Sequence, residues 1–372
     1  MVKTTRVCSA GAALAAVLVM AGCSARGMTV NVNAESLRLA PGPGGSFLSV
    51  AADSERIAAV FADPSTATLD FAAVPSGPHL PAVAPAAEVI DKVDVAPPLA
   101  PFFGENILRV DHGTVGVLYL DRETDTRNVL KLAWKGPSDA QWNLDAMDPA
   151  GDPLYLQPDG KSGFSAAWSS GTISYRSPAG QVTVPVPPIS LRLVGRSSQT
   201  LGGGFSAYDS IASVLLAFQW TGTGFSAQAI PDGTPIQASL RSADGRLAVL
   251  SWDPSDRRLL LRRERSPGAF STQTVTVCEG TTGVALLPGS DESQFLFVFN
   301  ETRSLGAGRV ESLVSVVGPG GLLGARGSRY RKAVLSRGET PVDGFAATRT
   351  QDSLYVLVSQ GDVRLLRVPL HR

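Results

Sequence analysis

Helical periodicity is nearly absent from this chain after residue 30, which excludes bundles and doubly wound α/β folds. Histidine is as scarce: His79, His112 and His371 stand far apart, whereas a zinc site needs three or four converging ligands. Charged residues make up only 18% of the 372 residues, and 33 basic residues balance 33 acidic ones. That balance offers no bulk attraction to nucleic acid or to anionic lipid. No G-x-S-x-G nucleophile elbow occurs; GFSAA at 163 and GFSAY at 204 lack the second glycine. Only three cysteines are present, and Cys8 lies inside an N-terminal apolar run.

What the chain has in quantity is Gly (38), Pro (26) and β-branched residues, a composition of short strands and turns. Apolar runs come in pairs with one recurring prelude: a small-to-apolar stretch, a turn with an aspartate, a hydrophobic strand, a polar turn and another strand. The units begin at Phe47, Ile107, Leu154, Gly203, Gln237, Val284 and Phe345. Their turn aspartates are Asp53, Asp111, Asp159, Asp209, Asp244, Asp291 and Asp352, spaced by about 50 residues on average. A repeat of that length built of short antiparallel strands predicts a propeller blade. Asp suits the turn because its carboxylate accepts from a backbone N–H two residues on, so these residues read as turn-makers. The second strands RLAVLSW, FLFVF, LYVLV, VLLAF and VGVLYL are apolar at nearly every position, as expected where both faces are covered.

The reading is therefore all-β, a seven-bladed β-propeller. The last unit supplies three strands, and MTVNVNAESLRLAP upstream alternates like a strand belonging to no hairpin. Residues 29–39 are expected to pair beside 363–370 and close the last blade. PGPGG at 41–45 then turns into the first inner strand. The proline-rich stretches at 75–98 and 185–188 read as loops between blades, and 318–341 as a second long connection.

The N-terminus carries Lys3 and Arg6, then an uncharged run from Val7 to Met20, then Ala21-Gly22-Cys23. The run is too short for a spanning helix and fits an export signal. A cysteine after the small pair resembles the bacterial lipoprotein box. That resemblance implies thioether-linked diacylglycerol on Cys23, cleavage before it, and commonly a further acyl chain. Residues 1–22 are then the signal, 23–28 the lipidated cysteine and a short tether, and 29–372 one propeller domain. Ser24 rather than Asp follows the cysteine, which by analogy with enteric sorting favours the outer membrane in a diderm cell. With Cys8 removed and Cys23 lipidated, Cys278 is left alone, without a disulfide partner, as a small buried hydrophobe.

Sites of chemistry are thin. The innermost strands offer Ser49, Arg109, Tyr155, Ser206, Ser239, Leu286 and Thr348, a set without an acid–base pair. DRETDTRN (121–128) imitates a calcium loop but has Thr126 at its sixth position and Leu132 at its twelfth, so it reads as a hairpin turn. The one charge cluster is Arg326, Arg329, Arg331, Lys332 and Arg337, with Tyr330 inside it and no acid between. With Arg257, Arg258, Arg262, Arg263 and Arg265 it suggests a basic surface for anionic headgroups or an acidic partner. No cofactor, metal or nucleic acid is expected. The expected function is a membrane-anchored, non-catalytic envelope scaffold or binding module with a protein partner. The alternatives are a propeller enzyme acting on glycans or lactones and a polysaccharide or small-ligand binder. The layout is similar to the propeller lipoprotein of the outer-membrane protein assembly machine, whose eight blades carry different repeats.

Overall fold

In the computed structural model the described residues are 30–371, apart from 46, 94–105, 125–126, 149–151, 159–162, 170–172, 178–179, 184–197, 201–203, 210–213, 222–224, 231–233, 235, 243–244, 290–293 and 326–329. They form seven four-stranded antiparallel sheets and no helix. Each sheet runs from an inner to an outer strand. The first blade is β2 (Leu48–Ala52), β3 (Arg56–Asp63), β4 (Thr68–Pro75) and β5 (Glu88–Lys92). The second is β6 (Asn106–Asp111), β7 (Thr114–Thr124), β8 (Arg127–Lys135) and β9 (Asn143–Asp148). The third is β10 (Asp152–Pro158), β11 (Phe164–Ser169), β12 (Ile173–Ser177) and β13 (Gly180–Thr183). The fourth is β14 (Ser198–Thr200), β15 (Gly204–Asp209), β16 (Val214–Trp220) and β17 (Phe225–Ile230). The fifth is β18 (Gln237–Arg241), β19 (Leu247–Asp253), β20 (Arg258–Ser266) and β21 (Ala269–Val277). The sixth is β22 (Val284–Pro288), β23 (Phe295–Gly306), β24 (Arg309–Pro319) and β25 (Tyr330–Gly338). The seventh is β26 (Gly344–Arg349), β27 (Ser353–Ser359) and β28 (Val363–Pro369), completed by β1 (Glu35–Ala40) from the start of the chain. The inner strands β2, β6, β10, β14, β18, β22 and β26 pack side by side in a closed ring.

The core is not one sphere but seven seams, one between each pair of consecutive blades. Strand alternation builds them. On β3, Ile57, Ala59 and Phe61 pack toward the seventh blade, while Ala58, Val60 and Ala62 pack toward the second. A second strand must therefore be apolar at successive positions, as the sequence is.

Closure takes place at the expected seam. β1 pairs antiparallel with β28, Glu35 opposite Arg367 and Leu37 opposite Leu365, with a register shift before Ala40. Leu37 is buried in the seam between blades seven and one. Glu35 ties three elements together. Its carboxylate accepts from Arg367 Nη1 (3.0 Å) and from the Leu80 N–H (2.7 Å), and lies 2.8 Å from His79 Nδ1. Gly44 then brings the chain against the seventh blade; a Cβ there would stand 2.8 Å from Val363 Cγ2.

Three expectations shift. In the fourth blade GFSAYD is the second strand, β15, because β14 precedes it on the axis. The inner strand of this blade is therefore β14, and Ser206 lies on the second strand instead of the innermost one. The stretch at 75–98 lies within the first blade as far as described: it ends β4, contains β5, and folds Leu80 and Ala84 onto the closure seam. The connection at 318–341 likewise contains an outer strand, β25. The stretch at 185–188 is outside the described residues.

Candidate functional site

The ring offers two regions where charge could act: the inner strands around the axis and the cationic outer strand β25.

On β25 the described members of the sequence cluster do not share one surface. Lys332 is 7% exposed, and its Nζ lies 2.5 Å from Glu301 Oε2 and 5.0 Å from the centre of the Phe299 ring. Arg303 completes that group at 2.8 Å from the same oxygen. Burial works against the Glu301 carboxylate, but Arg303 and Lys332 outweigh it and hold its pKa below the usual range. Lys332 is thus a cation of the interior, not of an anion-binding face. Tyr330 Oη accepts from the Phe295 N–H at 3.3 Å and its ring lies 5.4 Å from that of Phe297. Arg337 pairs with Glu311 at 3.3 Å, and Arg331 remains partly exposed. Arg326, Arg329 and Cys23 lie outside the described residues. A run without acids in sequence meets Glu301 of β23 and Glu311 of β24 in its own blade.

The fifth-blade arginines divide in the same way. Arg262 is buried with Nη1 on Ser251 Oγ, Arg263 stacks 5.2 Å over Phe295, and Arg265 donates to Ser271 Oγ.

Between the fourth and fifth blades, Ser239 Oγ of the inner strand β18 donates to Ser206 Oγ of β15 (2.7 Å), and Ser206 to Gln237 Oε1 (3.1 Å). Arg349, which follows Thr348 at the end of β26 and carries no signal in the repeat, gives Nη1 to the carbonyls of Pro288 (2.7 Å) and Gly289 (2.6 Å). It staples the sixth blade to the seventh. Ser49 and Thr348 are partly exposed and Leu286 is buried in a seam. Arg109 and Tyr155 stand on the adjoining inner strands β6 and β10. Neither meets a carboxylate among the described residues.

The remaining candidates are structural. His112 and Gly113 both have positive φ (46° and 81°) and make the two-residue turn between β6 and β7. In the calcium-like stretch, Asp121 is buried and 2.6 Å from Lys131 Nζ, which also reaches Asp91 of the first blade at 2.9 Å. The stretch is the expected hairpin between β7 and β8, but Asp121 at its start is a clasp between blades and not a solvated group. Among the described residues no group of three or more His, Cys, Asp or Glu is placed to hold a metal ion.

Cys278 has a counterpart that sequence reading could have found. Asp63-Pro64-Ser65 and Asp253-Pro254-Ser255 are the same turn: each aspartate accepts from the serine N–H, and Ala67 and Arg257 follow with φ of 51° and 52°. Val93 donates its N–H to Ala67 O, and Cys278 to Arg257 O. Cys278 thus fills the position that valine fills in the first blade. Burial pushes its thiol up to about 12. Native protein at pH 8 should leave this thiol unreacted with a disulfide reagent over minutes, and unfolding should release it; immediate native reaction would contradict the packing.

The chain matches no protein-family model and no characterised sequence. Solved structures share its architecture. A streptogramin B lyase aligns over 91% of this chain and 98% of its own, with TM-score 0.53 and 9% identity. The likeness is one of fold. A catalytically inactive histidine-to-alanine virginiamycin B lyase from Staphylococcus aureus, with quinupristin, aligns over 90% and 99% (TM-score 0.54, 8% identity). YCF48 bound to a D1 peptide aligns over 92% and 99% (TM-score 0.56, 12% identity).

Proposed function

We propose that this chain is an exported lipoprotein, anchored through lipid on Cys23, whose propeller is a non-catalytic scaffold for a protein partner in the cell envelope. The observation that carries the binding reading is where the acids are spent. The buried carboxylates among the described residues are Asp121, Glu264, Glu301 and Asp362. None is on an inner strand. Each is taken up by Lys, Arg or backbone N–H groups that fasten strands: Asp121 by Lys131, Glu264 by the Leu247 and Gly268 N–H groups, Glu301 by Lys332, and Asp362 by Arg38 and Arg364.

The start of the described chain supports a rim attachment. Val30 donates its N–H to Lys332 O at 2.8 Å, on the outer strand of the sixth blade. Seven residue steps separate it from Cys23, a reach of at most about 25 Å. An anchor there would hold the disk by its edge, close to the bilayer, with the outer membrane favoured in a diderm cell.

A solved neighbour with a bound peptide fits the binding reading. The lyase neighbours supply the second reading, an enzyme on glycans or lactones. One of them is inactive as a histidine-to-alanine variant. Here His79 and His112 are exposed side chains at the edge or in a turn, and His371 is exposed beside Gly324, off the inner strands.

The test is fractionation with capture. Wild type should sediment with membranes and yield an N-terminal peptide carrying diacylglycerol on Cys23; Cys23→Ser should move to the soluble fraction. Affinity capture from detergent-solubilised envelopes should return one stoichiometric partner. Sedimentation of Cys23→Ser with membranes would sink the anchor, and repeated recovery of the protein alone would sink the scaffold.

A further inference from the structure

The two most exposed large apolar side chains among the described residues, Val83 (79%) and Val89 (52%), lie in one place. They belong to the connection that leaves β4 and returns as β5. Residues 80–87 carry no polar side chain, and Pro81 and Pro85 stiffen the stretch and remove two N–H groups. Leu80 and Ala84 turn inward onto the closure seam, while Ala82, Val83, Ala86 and Ala87 are exposed. An apolar stretch held outward in this way marks a contact surface.

Its place in the fold says for what. Ser76 donates its N–H to Glu55 O in the turn between β2 and β3, so the stretch leaves the disk at the end where the inner strands finish. The start of the described chain reaches the same end. Lys332, whose carbonyl receives the Val30 N–H, stands opposite Val317, and Val317 opposite Phe297, close to the start of β23. The two features also share an element. Glu35, five residues beyond Val30 at the start of β1, accepts the Leu80 N–H on its carboxylate. Val30 and Glu35 are at most about 18 Å apart along the chain, and Val83 lies at most about 11 Å beyond Leu80. A bilayer that holds lipid on Cys23 is thus within reach of the stretch.

A protein partner is the weaker match. Protein interfaces centre on aromatic and arginine anchors and are depleted in alanine, and residues 80–87 offer no such anchor. We infer that residues 80–87, with Val83 foremost, rest on the bilayer at headgroup depth and fix the orientation of the anchored disk. The inference rests on the lipid anchor proposed above, which supplies the affinity; the apolar stretch supplies the angle, and its backbone stays hydrated at that depth. Because the stretch is uncharged, the contact holds at high salt, unlike that of a basic patch.

The test binds Val83→Trp and, as a control, Leu305→Trp to phosphatidylcholine vesicles with and without brominated acyl chains. Leu305 is exposed on the β23–β24 hairpin, eight residues along β23 from Phe297 and so about 26 Å toward the other end. Bromine should quench the emission added at position 83 by about twofold or more, in low salt and in about 1 M salt alike, and leave that added at 305 unchanged. Both variants should melt within about 2 °C of wild type. The anchor is read separately. Protein that carries no diacylglycerol and does not float with vesicles contradicts the lipoprotein reading. A maleimide lipid on the Cys23 thiol of a chain beginning there, which keeps every described residue, then supplies the tether, and quenching at 83 is still measured; Cys278 is buried and does not compete. No quenching at 83 in vesicle-bound protein overturns the inference. So does shielding of position 83 that grows with protein concentration in the absence of lipid, the mark of a second copy. Shielding in native envelopes but not on pure lipid, the mark of a protein partner, overturns it as well.

Discussion

A chain lacking residues 30–40 should lose its cooperative fold, not merely a tail. Three losses coincide when β1 is removed. Leu37 leaves the seam between blades seven and one, worth about 2 kcal/mol of burial. The hydrogen-bonding edge of β28 is exposed along its length, and it becomes a template for aggregation. Arg367, 6% exposed, loses Glu35; stranding a buried cation costs about 3 kcal/mol. The sum, roughly 5 kcal/mol or more, matches the whole stability of many domains. Calorimetry and circular dichroism should show a broad or absent transition. Trimming residues 304–309, the exposed tip of the β23–β24 hairpin, should leave the midpoint within about 2 °C. A cooperative transition near the wild-type temperature without residues 30–40 would show that the ring does not depend on this strand.

The same seam should lose part of its stability in acid. Burial raises the Glu35 pKa, but the Leu80 N–H, His79 and Arg367 outweigh it and hold it below the usual carboxylate range. A depressed pKa contributes stability above the unfolded value of the group, and that contribution disappears as pH falls through the folded value. Glu35→Gln should flatten the fall in stability below about pH 4.5 while lowering the neutral-pH plateau.

The closing strand was legible because its pattern was left over. Alternation in NVNAESLRLAP had no hairpin to belong to, and the last unit lacked a strand. The seven units were legible because each second strand faces two seams and has no polar position to spare. Outer strands were harder to read, for the complementary reason. In YRKAVLSRG and EVIDK one side meets solvent, so the composition is that of a loop, and both were absorbed into connections. The slip in the fourth blade has the same origin: SQT is too short to register as an inner strand, so GFSAYD took its place.

The candidate site divides along similar lines. Arg109 and Tyr155 could be placed on inner strands from the repeat alone, since their positions follow from the turn aspartates. What the repeat could not supply was the neighbour across each seam. Glu301 and Lys332 are 31 residues apart and meet only because β24 intervenes between β23 and β25. Charge clusters in sequence ignore such partners, and five cations read in a row became two interior or paired groups, one partly exposed arginine and two residues outside the described set.

Lys332→Met should therefore destabilise the protein by about 3 kcal/mol, where a surface cation would change it by less than about 0.5 kcal/mol. Removing the lysine leaves the Glu301 carboxylate, 3% exposed, with Arg303 as its one cationic partner of the two. Glu301→Leu should cost a similar amount by stranding the ammonium over Phe299. The double variant, apolar on both sides, should recover most of that loss, because the desolvation of both charges is removed together. Denaturant melts of the four species give the coupling energy directly; additive losses would mean that the two side chains do not act as a pair. The consequence reaches the search for an anionic surface. Replacing Arg326, Arg329, Arg331 and Lys332 together would confuse lost retention with lost folding. Replacing the three arginines by Gln while keeping Lys332 separates them: stability should hold within about 1 kcal/mol, and any loss of low-salt membrane or partner retention is then electrostatic. Unchanged retention in that triple variant, with Lys332 intact, would remove these arginines from the binding surface.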